Sequence, residues 1–159
     1  MKTLRIKRIR INAKQVKISF EELNEDNLWI HTSIESPEMP KQVFIDSLQA
    51  LASDICTINE YNSSIVPEIK VTGLTFRWDK DINKYKVLLV AKRKIRLSNS
   101  PSNLITPLVS IDKLNENDED FKYKMDLDNK IVTIIKYANL YLSGDREKSK
   151  QEKIEFKQK

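Results

Sequence analysis

Residues 4–11 read Leu-Arg-Ile-Lys-Arg-Ile-Arg-Ile, and this stretch decides which fold the sequence predicts. Aliphatic and basic side chains alternate along it, as they do in a β-strand that buries one face. The alternation slips by one position at Lys7-Arg8, which is the effect of a β-bulge. The sequence therefore predicts a bent first strand with basic residues on its solvent-facing side.

Two further alternating runs extend this strand into an antiparallel meander. Residues 16–20 and 28–34 each alternate apolar with polar side chains, and polar loops separate the three runs. Behind Pro40, apolar residues recur at spacings of three and four, which is typical of an amphipathic helix over residues 40–56. We expect three strands and then a helix that covers them.

The second half of the chain predicts the rest of the sheet. Residues 69–78 alternate in two sets that are out of phase across Gly73, so we expect a strand bent at this glycine. Residues 85–97 are strongly β-prone, with apolar side chains on both faces in their first half, which is typical of a central strand. Residues 104–111 are interrupted by Pro107 and indicate an edge strand or an extended arm.

A second helix and a charged tail complete the predicted domain. Apolar residues at helical spacing over 127–142, followed by Gly144, predict a helix that docks on the sheet. The acidic stretch 112–120 is expected to be a solvated loop, and residues 145–159 carry ten charges. The prediction is one α+β domain over 1–144, with a mostly antiparallel, bent sheet and two helices on one face, and a charged C-terminal tail over 145–159.

Composition excludes several classes of enzyme. The chain has 159 residues, of which 40% are hydrophobic, and this is enough for one core. Its two glycines, Gly73 and Gly144, cannot form a glycine-rich phosphate loop. One cysteine, Cys56, and one histidine, His31, cannot form an internal disulfide or a Cys/His zinc site.

The remaining catalytic candidates have simpler interpretations. His31 lies in the middle of a predicted strand, and Cys56 ends an amphipathic helix as a small core residue. The acidic pair Asp79 and Asp81 and the cluster 118–120 lie in loops without a defensible third metal ligand. We therefore expect a protein that is not an enzyme and uses no cofactor or metal.

No segment predicts export or membrane insertion. The first residues alternate charge with aliphatics, whereas a signal peptide needs an unbroken apolar stretch. The longest apolar run, 87–91, is far shorter than the roughly 20 residues that cross a bilayer as a helix. We expect a cytoplasmic protein without membrane contact.

Two basic runs predict contact with a polyanion. Residues 2–17 contain seven basic residues and no acidic one, residues 92–96 add four more, and the net charge is +5. Basic strands that are neighbours in a sheet follow a phosphate backbone well, although lysine and arginine on strands also serve simply to prevent edge aggregation. The predicted nucleic-acid contacts are Lys2, Arg5, Lys7, Arg8, Arg10, Lys92, Arg93, Lys94 and Arg96, and bases are expected to stack on Trp29, Trp78 and Tyr85.

The tail contains a second clue. Gln151, Ile154 and Phe156 fit a Q-x-x-(L/I)-x-F hexapeptide, which resembles the peptide by which replication and repair proteins dock on the bacterial sliding clamp. Such a tail presents two apolar anchors and an amide to a preformed groove. The same apolar residues also fit packing on the second helix or addition of a strand to the sheet.

Three segments carry a resemblance to a known family. They are Leu48-Gln-Ala-Leu-Ala-Ser-Asp-Ile-Cys56, Val71-Thr-Gly-Leu-Thr-Phe76, and Ser98-Asn-Ser-Pro with Ile105-Thr-Pro107. In this order and spacing they resemble a family of small phage and prophage proteins of unknown function, whose members often lie among replication and recombination genes. The resemblance implies a role in phage DNA metabolism and assigns no functional residue.

The leading hypothesis is a non-enzymatic phage or prophage accessory protein of DNA metabolism. It binds single- or double-stranded DNA through the basic strands and contacts the sliding clamp through the tail. The first alternative is a protein-interaction module, such as an inhibitor or host-takeover factor, that uses the bent strands and the loop 98–103. The second alternative is a protein that sequesters a small anionic ligand between the basic strands.

Overall fold

The structure is a computed structural model that describes residues 4–79, 84–111 and 119–147. Within these ranges seven strands form one antiparallel sheet, and helices cover one of its faces. The strands are β1 (Leu4–Ile11), β2 (Val16–Leu23), β3 (Trp29–Ser36), β4 (Ile69–Trp78), β5 (Tyr85–Arg93), β6 (Ser102–Ile105) and β7 (Val109–Ser110). The helices are α1 (Gln42–Gln49), α2 (Ala52–Ile58) and α3 (Phe121–Leu142), with a 3-10 helix at Ser63–Glu68. The predicted α+β class is confirmed.

The strand order in the sheet is β3-β2-β1-β4-β5-β6, and β7 also pairs with β5. The first three strands form the predicted meander. The predicted central strand, β5, lies between β4 on one side and both β6 and β7 on the other. The predicted edge segment consists of these last two short strands, which lie on either side of Pro107.

Both predicted bends are present. The β1–β2 register shifts between Ile6 and Arg8, where the alternation of the sequence slips. The β4–β5 register shifts between Val71 and Gly73. A bulge inserts one extra residue and reverses the faces of the side chains beyond it, so a phase slip in the sequence marks its position.

The helical layer differs from the prediction in two details. The helix expected over 40–56 is divided at Ala50 and Leu51 into α1, which packs on α3 and β4, and α2, which packs on the 3-10 helix and β4. The two halves therefore have different neighbours besides β4. The last helix begins at Phe121, ahead of the predicted 127, and its first turns are held by Tyr123, whose hydroxyl donates to Asp54 Oδ1 over 3.0 Å.

The hydrophobic core lies between the sheet and the three helices. Ile9, Leu74 and Leu89 from the central strands and Ile55 and Ile131 from the helices are fully buried. Burying such a side chain contributes about 1.5–3 kcal/mol. None of the helices in the described ranges combines the length and apolarity that crossing a membrane requires.

Two chain segments end differently from the sequence prediction. Strand β5 ends at Arg93 and not at 97. Its partner strand β4 begins at Ile69, which pairs with Arg93, and the amide of Lys94 donates to Glu68 O instead of continuing the ladder. Residues 145–147, the start of the predicted tail, pack on the β3–α1 connection, where the amide of Glu147 donates to Met39 O over 3.0 Å.

Candidate nucleic-acid interface

The sheet presents one face that no helix covers in the described part of the chain, and we call it the open face. Strand β5 shows how the sequence builds it. Val87, Leu89 and Ala91 are buried beneath the helices, so the residues between them point to the other side. In order along the strand, the open face therefore carries Lys86, Leu88, Val90 and Lys92.

A groove of about 470 Å³ crosses this face, and β1, β4, β5 and β6 contribute to it. Its cationic residues are Arg8, Arg10 and Lys92, and its apolar residues include Leu88, Val90 and Ile105. No aspartate or glutamate is among the described residues that line the groove. The groove therefore combines cationic with aliphatic side chains, and we call the aliphatic residues Leu88, Val90 and Ile105 its floor.

Arg10 is fixed in the groove by three hydrogen bonds. Its Nη1 donates to the carbonyl oxygens of Ile9 and Leu74 over 2.7 and 2.8 Å, and its Nη2 donates to Thr75 Oγ1 over 2.7 Å. Burial, and then the positive charge of Arg8, lower the pKa of the Arg10 guanidinium from 12.5 to about 10. Arg10 is therefore still protonated at neutral pH and is held in one orientation.

Further basic residues lie outside the groove on β4 and β5, and two of them, Arg77 and Lys86, line a separate depression together with Asp79. Arg77 pairs with Lys86 in the β4–β5 register, and Lys70 pairs with Lys92. Lys92 lies six positions after Lys86 along β5, which corresponds to about 20 Å at the rise of a strand. We call the six basic residues Arg8, Arg10, Lys70, Arg77, Lys86 and Lys92 the basic track.

The sequence prediction did not include Lys70, Arg77 or Lys86. The signal was nonetheless present, because residues 85–93 alternate and place Lys86 on the same face as Lys92. The two β4 residues become neighbours of this face only through the β4–β5 register, which shifts at its bulge.

Other predicted contacts lie away from the groove. Lys7 forms an ion pair with Glu21 over 3.3 Å. Arg93 alternates to the helix-covered side, where its Nε donates to Glu68 over 3.0 Å and its charge acts on the Cys56 thiol. Lys94 and Arg96 are exposed beyond the end of β5.

Arg5 has a different environment from that of the groove arginines. Only 9% of its surface is exposed, and its guanidinium lies 4.2 Å from the centre of the Trp29 ring and 5.3 Å from that of Trp78. Cation–π contacts of this kind stabilise a fold. Arg5 therefore joins strands β1, β3 and β4 at one end of the sheet.

The aromatic residues expected to stack on bases are held by the fold. The indole of Trp78 donates to Ile6 O over 2.7 Å, and the Tyr85 hydroxyl donates to Asp128 over 2.8 Å. The two rings also pack on each other, with centroids 5.1 Å apart. Burial, and then the hydrogen bond to Asp128, raise the pKa of Tyr85 well above its usual value of 10.0.

Four of the predicted contacts cannot be placed. Lys2 and the clamp-peptide residues Gln151, Ile154 and Phe156 lie outside the described residues. Of the eight basic residues that can be placed, Arg8, Arg10 and Lys92 are brought together in the groove.

The catalytic candidates His31 and Cys56 lie on different elements, β3 and α2. His31 is exposed on the edge strand β3, whereas Cys56 is 2% exposed in α2, and burial raises the pKa of its thiol. Within the described ranges, no three His, Cys, Asp or Glu residues are grouped closely enough to hold a metal ion. Asp81, the partner proposed for Asp79, lies outside these ranges.

Comparisons with protein-family models, curated proteins and solved structures find no match for this chain. The resemblance to a phage family therefore stays a prediction from the sequence. The shape, charge and hydrogen bonds of the groove are the structural features from which a function can be inferred.

Proposed function

We propose that the open face binds nucleic acid, and that the protein acts as a non-enzymatic accessory factor in DNA metabolism, as the phage-family resemblance implies. The observation that carries the proposal is the basic track, whose central groove has no carboxylate among its described lining residues. Phosphate contacts by lysine and arginine release condensed counterions, which is the main source of sequence-independent affinity.

The length of the basic track favours a polymer over a compact anion. Its cations lie near both ends of β5 and, on the far side of β4 from the centre of β5, on β1; they span about 20 Å along the strands. A single small anion contacts only one part of such an array. A nucleic-acid strand presents phosphates at regular intervals and can contact all of it.

The test is fluorescence anisotropy of labelled DNA at several salt concentrations. The double variant Arg8→Ala with Lys92→Ala removes two exposed cations of the groove. The slope of log K against log salt should become shallower by about 1.5, since each lost phosphate contact removes about 0.7–0.9. The matched control is Lys122→Ala with Lys136→Ala, which removes the same charge from exposed positions on α3.

The control variant should retain the slope of the original protein. An unchanged slope in the groove variant, or an equal change in both variants, would contradict binding at the open face. The absence of DNA binding at low salt would remove the proposal altogether.

One observation favours the sequestration of a small ligand as a second candidate. The groove volume of about 470 Å³ falls within the range of small-molecule pockets. A ligand with one anionic group and an aliphatic body would match the cationic residues of the groove and its aliphatic floor. Such a ligand should raise the melting temperature of the protein in the absence of DNA.

A further inference from the structure

We propose that the groove takes single-stranded nucleic acid in preference to a duplex, with bases or riboses lying on its aliphatic floor. This inference rests on the proposed function and concerns the form of the polymer. The floor is the relevant feature, since the cations alone would serve either form.

The floor lies between cations and is accessible. Leu88 and Val90 are half-buried, and Ile105, the last residue of β6, is 61% exposed. Phosphate groups gain nothing from contact with these side chains, because they are more favourably hydrated in water. A base or a ribose gains from the same contact, because both remove apolar surface from water.

The concave shape of the site also favours a single strand. Many proteins that read a duplex insert a helix or a two-stranded ribbon into its major groove. Here the apolar residues lie beside cations in a depression lined by four strands, and a duplex keeps its bases stacked inside the double helix, away from such a surface. A single strand can turn its bases outward and place them on a protein surface.

Arg10 supplies a fixed polar group at the edge of the floor. A guanidinium has five N–H donors, and three of those of Arg10 are used within the protein. Nε–H and one hydrogen of Nη2 remain for a ligand. Because the group is already oriented, binding costs little side-chain entropy, and its flat surface can also stack on a base.

The experiment is a competition between a thymidine oligonucleotide and a duplex of the same length for the labelled single strand. The single strand should compete at least about tenfold better than the duplex if its bases contact the floor. The variant Ile105→Ser with Val90→Thr makes the floor polar. Val90→Thr keeps the side-chain volume, and Ile105 is 61% exposed, so its truncation leaves no buried cavity. The double variant should weaken single-strand binding about tenfold and leave the salt slope unchanged, because no cation is lost.

Leu97→Ser is the matched control, since Leu97 is 89% exposed and is not part of the groove lining. It should bind as the original protein does. Val90→Thr alone provides a milder second variant if the double variant melts at a markedly lower temperature.

The outcomes separate this inference from the proposed function. The single-strand preference would be overturned, while DNA binding stands, if the duplex competed as well as the single strand. It would also be overturned if the floor variant lost the same fraction of its affinity for both forms of DNA. No binding of either form, together with a thermal shift by dodecanoate, would overturn both in favour of a small amphipathic anion.

Discussion

Arg10 and Gly73 lie directly opposite each other in the β1–β4 register, and the absence of a side chain at the glycine makes room for the guanidinium. A Cβ at position 73 would lie 3.0 Å from Arg10 Nη1 and 1.9 Å from Ile9 O. The same glycine lies at the bulge of β4. One residue thus allows the close approach of two strands and the fixed orientation of the groove arginine.

Gly73→Ala should destabilise the protein by about 3 kcal/mol, because the new methyl group meets backbone that cannot move aside. Gly144→Ala is the control. Its φ is +104°, and nothing lies within 4 Å of the added atom, so only backbone strain of about 1 kcal/mol is expected. Urea unfolding measures the free energy of unfolding of both variants. Equal losses of stability would contradict the close packing of β1 against Gly73.

Arg10→Lys and Arg8→Lys should differ although both keep the charge. A lysine at position 10 cannot reproduce three hydrogen bonds from one planar group, so we expect a loss of about 2 kcal/mol in the free energy of unfolding. Arg8 is exposed, and its replacement should change the stability by less than about 0.5 kcal/mol. Comparable urea midpoints for the two variants would contradict the structural role of Arg10.

Arg5→Ala should lower stability without changing the salt dependence of DNA binding. The variant loses the contacts of the guanidinium with Trp29 and Trp78, which contribute about 1–2 kcal/mol in a largely buried site. Tryptophan emission should change as well, since these are the only two tryptophans in the chain. A shallower salt slope in this variant would instead place Arg5 among the phosphate contacts.

Tyr85→Phe should be less stable than the original protein at neutral pH, by about 1.5 kcal/mol, because the hydrogen bond to Asp128 is lost. This difference should shrink above pH 10. There the unfolded tyrosine loses its proton while the folded one, whose pKa is raised, keeps it, so the original protein loses about 1.4 kcal/mol per pH unit relative to the variant. Urea unfolding at increasing pH measures the difference, and a constant value would contradict the raised pKa.

The local features of the fold followed from the sequence. The slip of alternation at Lys7-Arg8 and the phase change at Gly73 predicted both bulges, because the twofold period of a strand records which residues share a face. The helix break after Gln49 could not be predicted, since the apolar spacing continues across Ala50 and Leu51. The two halves pack on different elements, α1 on α3 and α2 on the 3-10 helix, and α3 is distant from α1 along the chain.

The candidate site was predictable only in part. The basic runs at 2–17 and 92–96 were visible, and alternation alone would separate Lys92 from Arg93. The environment of Arg5 depends on Trp78, a residue of another strand that alternation within β1 cannot identify. In the same way, Lys70 and Arg77 join the basic track only through the register of β4 with β5.

The sequence by itself determined the order of strands and helical segments along the chain, the two strand bends and the excess of positive charge, because these depend on residues close together in the chain. Only the tertiary structure decided that Arg8, Arg10 and Lys92 share one groove, while Arg5, Lys7 and Arg93 are engaged elsewhere. The physical reason is that strand order and register arise from packing between distant segments. Two lysines of equal charge, Lys92 and Lys7, thus lie in the groove and in an internal ion pair respectively, according to the strands that lie beside them.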